Sequence, residues 1–246
     1  MTHKIAFASG KGGVGKTSLA LNTATLMAKQ GKKVLLFDGD FGLANVDVQL
    51  GLNPEADLAS VLNKTHTLAD IVQHSLEGFD VIPGHSGAEN LAFISQLDQQ
   101  GIMEALTQLA AAYDVLLLDV PAGLDATVLS LCAYADTTCL VVTPDPSAIT
   151  DGYAVIKLLL RRLDIQNVQL LVNRATSQKE GDLTVRKIQM AAEQFLGLHV
   201  PHLGTVPDDK DYAASVKRQQ LAVTSFPNGS TAQALENIIT KLGNTN

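Results

Sequence analysis

The sequence predicts an α/β fold with three layers, α/β/α, around a mostly parallel central sheet. Three observations lead there. Short apolar, β-rich runs alternate with helix-length segments along the chain, the pattern of strands returning through crossover helices. Several of those runs are apolar at nearly every position, as strands covered on both faces must be. The residues are 46% hydrophobic but only 4% aromatic, with no Trp. That balance suits aliphatic helix-on-sheet packing better than a small aromatic-cored barrel. With 246 residues and no repeat, low-complexity tract or Pro/Ser linker, the chain reads as one domain, 1–246. It is long enough to bury a core without a disulfide or metal staple.

The predicted strands are 5–8, 34–37, 79–82, 115–118, 139–143, 168–172 and 200–206. The predicted helices are 16–30, 58–74, 102–112, 147–163, 183–196 and 231–242. The last helix places Leu235, Ile238, Ile239 and Leu242 at i, i+3, i+4 and i+7, one apolar stripe that fits packing on the sheet. It has a single Lys, Lys241, and no aromatic, whereas a helix lying on a membrane wants a basic polar face and bulky anchors.

Charge narrows the function classes. Lys and Arg number 18 against 25 Asp and Glu, a net of −7, opposite in sign to most proteins that wrap nucleic acid. Lys157, Arg161, Arg162, Lys217 and Arg218 form local basic runs, which read as solvated helix faces. Cys132 and Cys139 lie in apolar surroundings without a CxxC partner, as buried thiols of a cytoplasmic protein do. His3, His66, His74, His85, His199 and His202 show no metal-ligand spacing. No apolar run is long enough to span a bilayer, and no secretion signal is read.

The strongest chemical signal is Gly10, Lys11, Gly12, Gly13, Val14, Gly15, Lys16 and Thr17, with Ser18 next. It fits G-x-x-x-x-G-K-[ST] between a predicted strand and a predicted helix, which makes the fold that of a P-loop NTPase. Glycines let main-chain N–H groups turn inward around an anion, and the helix N-terminus adds partial positive charge. Lys16 then places an ammonium on the β- and γ-phosphates, and Thr17 offers a hydroxyl to Mg²⁺. Such a loop needs a carboxylate on a neighbouring strand for the metal. Asp119 ends the run Val115-Leu-Leu-Leu118 and supplies one, with a mobile turn expected at Pro121-Ala-Gly123. Asp38 and Asp40 end the strand 34–37. They also fall on the carboxyl edge of the sheet, where ligands bind. One of them is expected to support the metal shell and the other to orient the attacking water. The later segment Asn173-Arg-Ala-Thr176 has no Asp for a guanine edge, so the expected nucleotide is ATP.

The loop Lys11-Gly-Gly-Val-Gly-Lys-Thr17 resembles the deviant Walker A motif of the MinD/ParA ATPases, which carry an extra lysine early in the loop. Asp38-Gly-Asp40-Phe-Gly-Leu-Ala-Asn-Val-Asp47 resembles their switch I, and Asp119-Val-Pro-Ala-Gly123 their switch II, with Val120 where Thr is usual. Within that superfamily, four stretches resemble the FlhG/FleN flagellar number regulators. They are Gly42 to Leu52, Val81 to Gly87, Pro146 to Lys157 and Val216 to Pro227.

The resemblance implies an ATP-dependent homodimer in which Lys11 reaches the phosphates held by the other subunit. It implies Asp40 as the water-orienting residue, Asp38, Asp119 and Thr17 around Mg²⁺, and an adenine pocket of Asn173 with Val206, Pro207 and Asp208. It further implies slow regulatory turnover and a partner protein, a flagellar GTPase or a transcription regulator. The location would be cytoplasmic or peripheral to the inner membrane face. Two features of those regulators are not seen in this sequence, an N-terminal Asp-Gln-Ala segment and a basic amphipathic tail helix. The alternative readings are another positioning ATPase, for division, partition or cargo, and a carboxylate-activating ligase of the same fold.

Overall fold

A computed structural model describes residues 1–40, 45–84, 95–165 and 167–243. The switch I residues 41–44, the stretch from His85 to 94 and the last three residues lie outside the described residues.

The strands are β1 (His3–Ser9), β2 (Val34–Asp38), β3 (Gln73–His74), β4 (Asp80–Ile82), β5 (Val115–Ala122), β6 (Thr137–Val142), β7 (Val168–Ala175) and β8 (His202–Pro207). They make one sheet in the order β3-β4-β2-β5-β1-β6-β7-β8. Every pairing is parallel except β3 with β4. The helices are α1 (Lys16–Lys29), α2 (Val46–Leu50), α3 (Leu58–Leu62), α4 (Gln96–Ala110), α5 (Ala126–Tyr134), α6 (Pro146–Leu163), α7 (Gln178–Leu196), α8 (Lys210–Lys217), α9 (Ala222–Ser225) and α10 (Ser230–Gly243).

The period-2 alternation of side chains divides the core in two. On β1, Ala6 and Ala8 face a cluster with Leu118, Leu140 and Leu159, while Ile5 and Phe7 face the other with Leu21, Leu117 and Leu235. Helices α4–α7 cover the first face, and α1 with α10 covers the second. The stripe Leu235, Ile238, Ile239 and Leu242 is buried there, so the last helix is a packing element, as its sequence predicts. Both thiols are buried, and burial pushes each up to about 12.

Three sequence expectations need correction. The predicted helix 58–74 is only α3, followed by turns and β3. Asp57 caps α3 by accepting from the Ala59 and Ser60 N–H groups. Lys64 then takes a left-handed φ of 58°, and Asp70 accepts from both the backbone and the hydroxyl of Thr67. These local polar bonds outcompete helix continuation. Leu68 and Ile71 kept the helical period because they are buried, at 3% and 0% exposure. The expected turn at Pro121–Gly123 is instead the end of β5, which runs to Ala122 and pairs it with Ser9. Helices α2, α5, α8 and α9 were not foreseen: α2, α8 and α9 are short, and α5 is apolar enough to read as strand flank.

Gly39 joins the sheet to the site. Its N–H donates to the Asp119 carbonyl at 2.9 Å. A Cβ there would stand 2.6 Å from Leu131 Cδ1 and 2.9 Å from that carbonyl oxygen. Gly39→Ala should therefore destabilise the protein by about 1–3 kcal/mol, the usual range for an overpacked core. Urea unfolding measures it, and an unchanged midpoint would show that the two strand ends separate freely.

Candidate functional site

The site grows from the carboxyl edge of the sheet, where β2, β5 and β1 end side by side, with β6 and then β7 beyond them. Between β1 and α1 the chain makes the glycine loop. Gly13 and Gly15 have φ of 76° and 97°, a region open mainly to glycine. Gly15 has a second constraint, because a Cβ would lie 2.5 Å from Asn173 Nδ2. That amide donates to the Val14 carbonyl at 2.7 Å, and Asn173 is fully buried. Asn173 thus braces the loop from beneath.

A cavity of about 310 Å³ opens in front of the loop. Its walls include Gly12, Gly13, Gly15, Lys16, Thr17 and Ser18. One flank, toward β2 and β5, contributes Asp40, Asn45, Gln49, Asp119 and Val120. The other flank, beyond β7, contributes Arg174 from the end of that strand and Tyr212 and Val216 from α8.

Strand register sets the acidic flank. Asp38 on β2 pairs directly with Asp119 on β5, so two carboxylates meet at the buried end of neighbouring parallel strands. Asp38 is fully buried, and its oxygens accept from the N–H groups of Asp40 at 3.0 Å, Asn45 at 3.2 Å and Val46 at 3.3 Å. It therefore fastens both ends of the segment 41–44. Burial, with the neighbouring Asp119 charge, pushes its carboxyl up to about 8 despite those bonds. Burial likewise lifts Asp119 to about 6, while Thr17 and the Lys16 ammonium act the other way. Lys16 is 8% exposed, and burial lowers its pKa against the pull of Asp119 and Asp40.

The donor set fits Mg²⁺ and a polyphosphate. Asp119 Oδ1 is buried with no hydrogen-bond partner among the described residues, so a cation would satisfy it. Thr17 and Asp119 line the cavity, with Asp38 directly behind Asp119 in the sheet. The loop's inward amides and Lys16 supply the complementary positive charge.

The structure gathers some predicted residues and separates others. Lys16, Thr17, Ser18, Asp40 and Asp119 share one cavity. Lys11 lies outside it, in a neighbouring cavity of about 300 Å³ with Thr143, Asp145 and Arg174. Its ammonium is 3.1 Å from Asp145 Oδ1 and 2.7 Å from the Ser147 hydroxyl, both at the start of α6. Thr143, Ser147, the Ala148 N–H and Lys11 together hold the Asp145 carboxyl well below the usual carboxylate range. Asn173, Pro207 and Asp208 are not among the lining residues. Asp208 is exposed, and its N–H donates to the Ala175 carbonyl at 2.9 Å. Val120 is 1% exposed and packs into the α4–α7 face of the core.

Arg174, Tyr212, Val216, Asn45 and Gln49 were missed from sequence. Arg174 followed Asn173 in the segment read for base preference. Asn45, Gln49 and Val216 lay in stretches read only for family resemblance and Tyr212 lay outside them, because α2 and α8 were themselves unread. The basic runs Lys157, Arg161, Arg162 and Lys217, Arg218 are exposed on two different helices. Among the described residues there is no group of three or more His, Cys, Asp or Glu side chains that could by itself hold a metal ion. No helix among them is long and apolar enough to cross a membrane.

Two predictions follow from this geometry. Asn173→Ala leaves the buried Val14 carbonyl without its donor and should cost about 1–3 kcal/mol, read by urea unfolding. The raised Asp38 carboxyl makes the protein without ligand bind more protons folded than unfolded above the ordinary carboxylate range. Its stabilising share is full below about pH 4 and fades as pH rises toward 8. Melting temperature without Mg²⁺ or nucleotide should fall between about pH 4 and 8, and Asp38→Asn should flatten that fall. An equal fall in both proteins would assign it elsewhere.

Comparison with known proteins agrees with the geometry. A family model described as an AAA domain matches residues 2–174. The chain is 34% identical to the antiactivator FleN of Pseudomonas aeruginosa over 238 residues, 97% of this chain and 85% of that protein. It is 33% identical to the flagellum site-determining protein YlxH of Helicobacter pylori, over 96% of this chain and 80% of that one. Among solved structures, the septum site-determining protein MinD of Pyrococcus horikoshii, in complex with Mg-ADP, superposes with a TM-score of 0.83 at 26% identity. That match covers 98% of this chain and 96% of that one. The loop, the two aspartates opposite one another and these matches together place the chain in the AAA-domain family, as a MinD/ParA-type, ATP- and Mg²⁺-binding ATPase of the FleN/FlhG kind.

Proposed function

We propose that this ATPase is a nucleotide-controlled dimerisation switch that regulates flagellar number or placement through a partner protein. The supporting observation is the complete phosphate cradle, with Lys11 held just outside it by an exposed ion pair. That pair is 43% exposed on each side, and contacts of this kind contribute about 0–1 kcal/mol. Lys11 can leave Asp145 at little cost. In a face-to-face dimer two buried triphosphates would repel, and an extra cation from each subunit offsets that repulsion. Names among the relatives, an antiactivator and a flagellum site-determining protein, supply the flagellar reading.

In this reading each residue has a role that its position supports. Main-chain amides of the loop bind the phosphates, and Lys16 carries the charge of the β- and γ-groups. Thr17 and Asp119 would hold Mg²⁺, with Asp38 supporting Asp119 and fixing both ends of switch I. The metal neutralises phosphate charge. Asp40, part-exposed on the wall of the cavity, orients the attacking water. Val120 puts a methyl into the core where Thr would offer a hydroxyl, consistent with slow, regulatory turnover. Loss of the γ-phosphate removes contacts on which the switch segments rest, and the dimer separates. The partner would then read the dimer, not a chemical product.

Light scattering in ATP and in ADP tests the switch. Asp40→Ala should bind ATP, stay dimeric and turn over at least tenfold more slowly. Lys11→Ala should bind ATP and stay monomeric. Lys16→Ala should lose ATP binding. A Lys11→Ala protein that dimerises normally in ATP would remove the cross-subunit role. For the cellular role, a deletion strain should change flagella per cell under electron microscopy, and the Lys16→Ala gene should fail to restore the number. Normal flagella with division or segregation defects would favour the other positioning reading.

A further inference from the structure

The carboxylate flank of the cavity holds one side chain that neither metal nor phosphate binding accounts for. Gln49 lines the cavity beside Asp40, Asn45, Asp119 and Val120. Its backbone is fixed at both ends of α2. Asp38 accepts from the Val46 N–H, and Val46 is fully buried. Gly51, at a φ of 63°, ends the helix. The Gln49 N–H donates to the Asn45 carbonyl at 3.1 Å, so the two side chains stand one turn apart on the same face. Asn45 is exposed, whereas Gln49 is partly buried. The Gln49 side-chain amide makes no hydrogen bond to a described residue. An amide withdrawn from water needs partners for both its donor and its acceptor, and Gln49 meets the cavity instead. The facing strand end is poor in such groups. Val120 is aliphatic and 1% exposed, Pro121 has no N–H, and Ala122 pairs with Ser9 in the sheet. Once Asp119 is given to the metal, Asp40 and Gln49 are the partly buried polar side chains of this flank.

We propose that Gln49 positions the attacking water together with Asp40. Lys16, Thr17 and Asp119 put the γ-phosphate end of the nucleotide on this flank. A water molecule has two O–H groups. With one donated to the Asp40 carboxylate and the other to Gln49 Oε1, its lone pair faces the γ-phosphorus. Gln49 Nε2 can then donate to a γ-phosphate oxygen in the same transition state. The water oxygen bonds to phosphorus as the bond to the β–γ bridging oxygen breaks. The bridging oxygen keeps that electron pair and leaves as part of ADP, and both hydrogens of the water end on the released phosphate. Gln49 neither gains nor loses a proton, so it is a positioning residue. The assignment rests on the hydrolytic reading of this site and deepens it. It adds a second anchor for the water on a flank where the side chain of Val120 offers none.

Steady-state ATP hydrolysis and equilibrium titration on the full chain test this. Gln49→Leu keeps the size of the side chain and removes the amide. Its kcat should fall about tenfold, the scale of one hydrogen bond, with KM unchanged, because the lost contact belongs to the transition state. Mg-ADP should bind Gln49→Leu as it binds wild type. Mg-ADP with fluoroaluminate, which mimics the phosphoryl group in transfer, should bind about tenfold more weakly. Gln49→Glu keeps an acceptor, loses the donor and brings an anion to the phosphate, so it should be at least as slow as Gln49→Leu. A wild-type kcat in either variant, or equal weakening of Mg-ADP and of its fluoroaluminate complex in Gln49→Leu, would overturn the role of Gln49. A wild-type protein that binds Mg-ADP but releases no phosphate from ATP would overturn the hydrolytic reading itself, and this role with it.

Discussion

The structure depends on keeping two carboxylates apart from water and beside each other at the end of the sheet. Asp38 and Asp119 meet because β2 and β5 run parallel and in register. Neither would sit there for stability alone, since burial raises both acids. The strain is relieved by Lys16 and Thr17 on the adjoining loop and by the amides that Asp38 gathers from switch I. Loop, switch and strand ends are therefore one electrostatic unit. A change in charge within the cradle is felt by all three without any domain motion.

The same logic explains the packing around the site. Gly39 allows the Asp119 backbone to come within hydrogen-bonding distance of the neighbouring strand. Asn173, carried by β7, reaches under the loop from the other side. The wall formed by α8 is fastened in turn to α10, because Asp209 caps α8 and also accepts from Ser230 and Thr231. The loop is thus held on both flanks, by Gly39 on one side and Asn173 on the other.

Much of this was legible in the sequence. Seven apolar runs correspond to strands, and the glycine loop named its own chemistry because its residue types and its strand–helix context are both demanding. Asp119 and Asp38 were legible as charges ending apolar runs. What stayed hidden was decided by tertiary contact. Helix periodicity continued through Leu68 and Ile71, yet Thr67 and Asp70 bonded locally and turned the chain. Asn173 was read as a ligand contact; that its amide also braces the loop through the Val14 carbonyl only the approach of β7 to the loop could reveal. Tyr212 and Val216 belong to a two-turn helix whose pattern is too brief to identify alone.

The contact of Lys11 with the start of α6 has one more consequence. Asp145 accepts at the same time from Thr143, Ser147 and the Ala148 N–H. When the lysine departs, the carboxylate keeps those three donors and the helix keeps its cap. Lys11 can therefore leave Asp145 while the start of α6 stays capped.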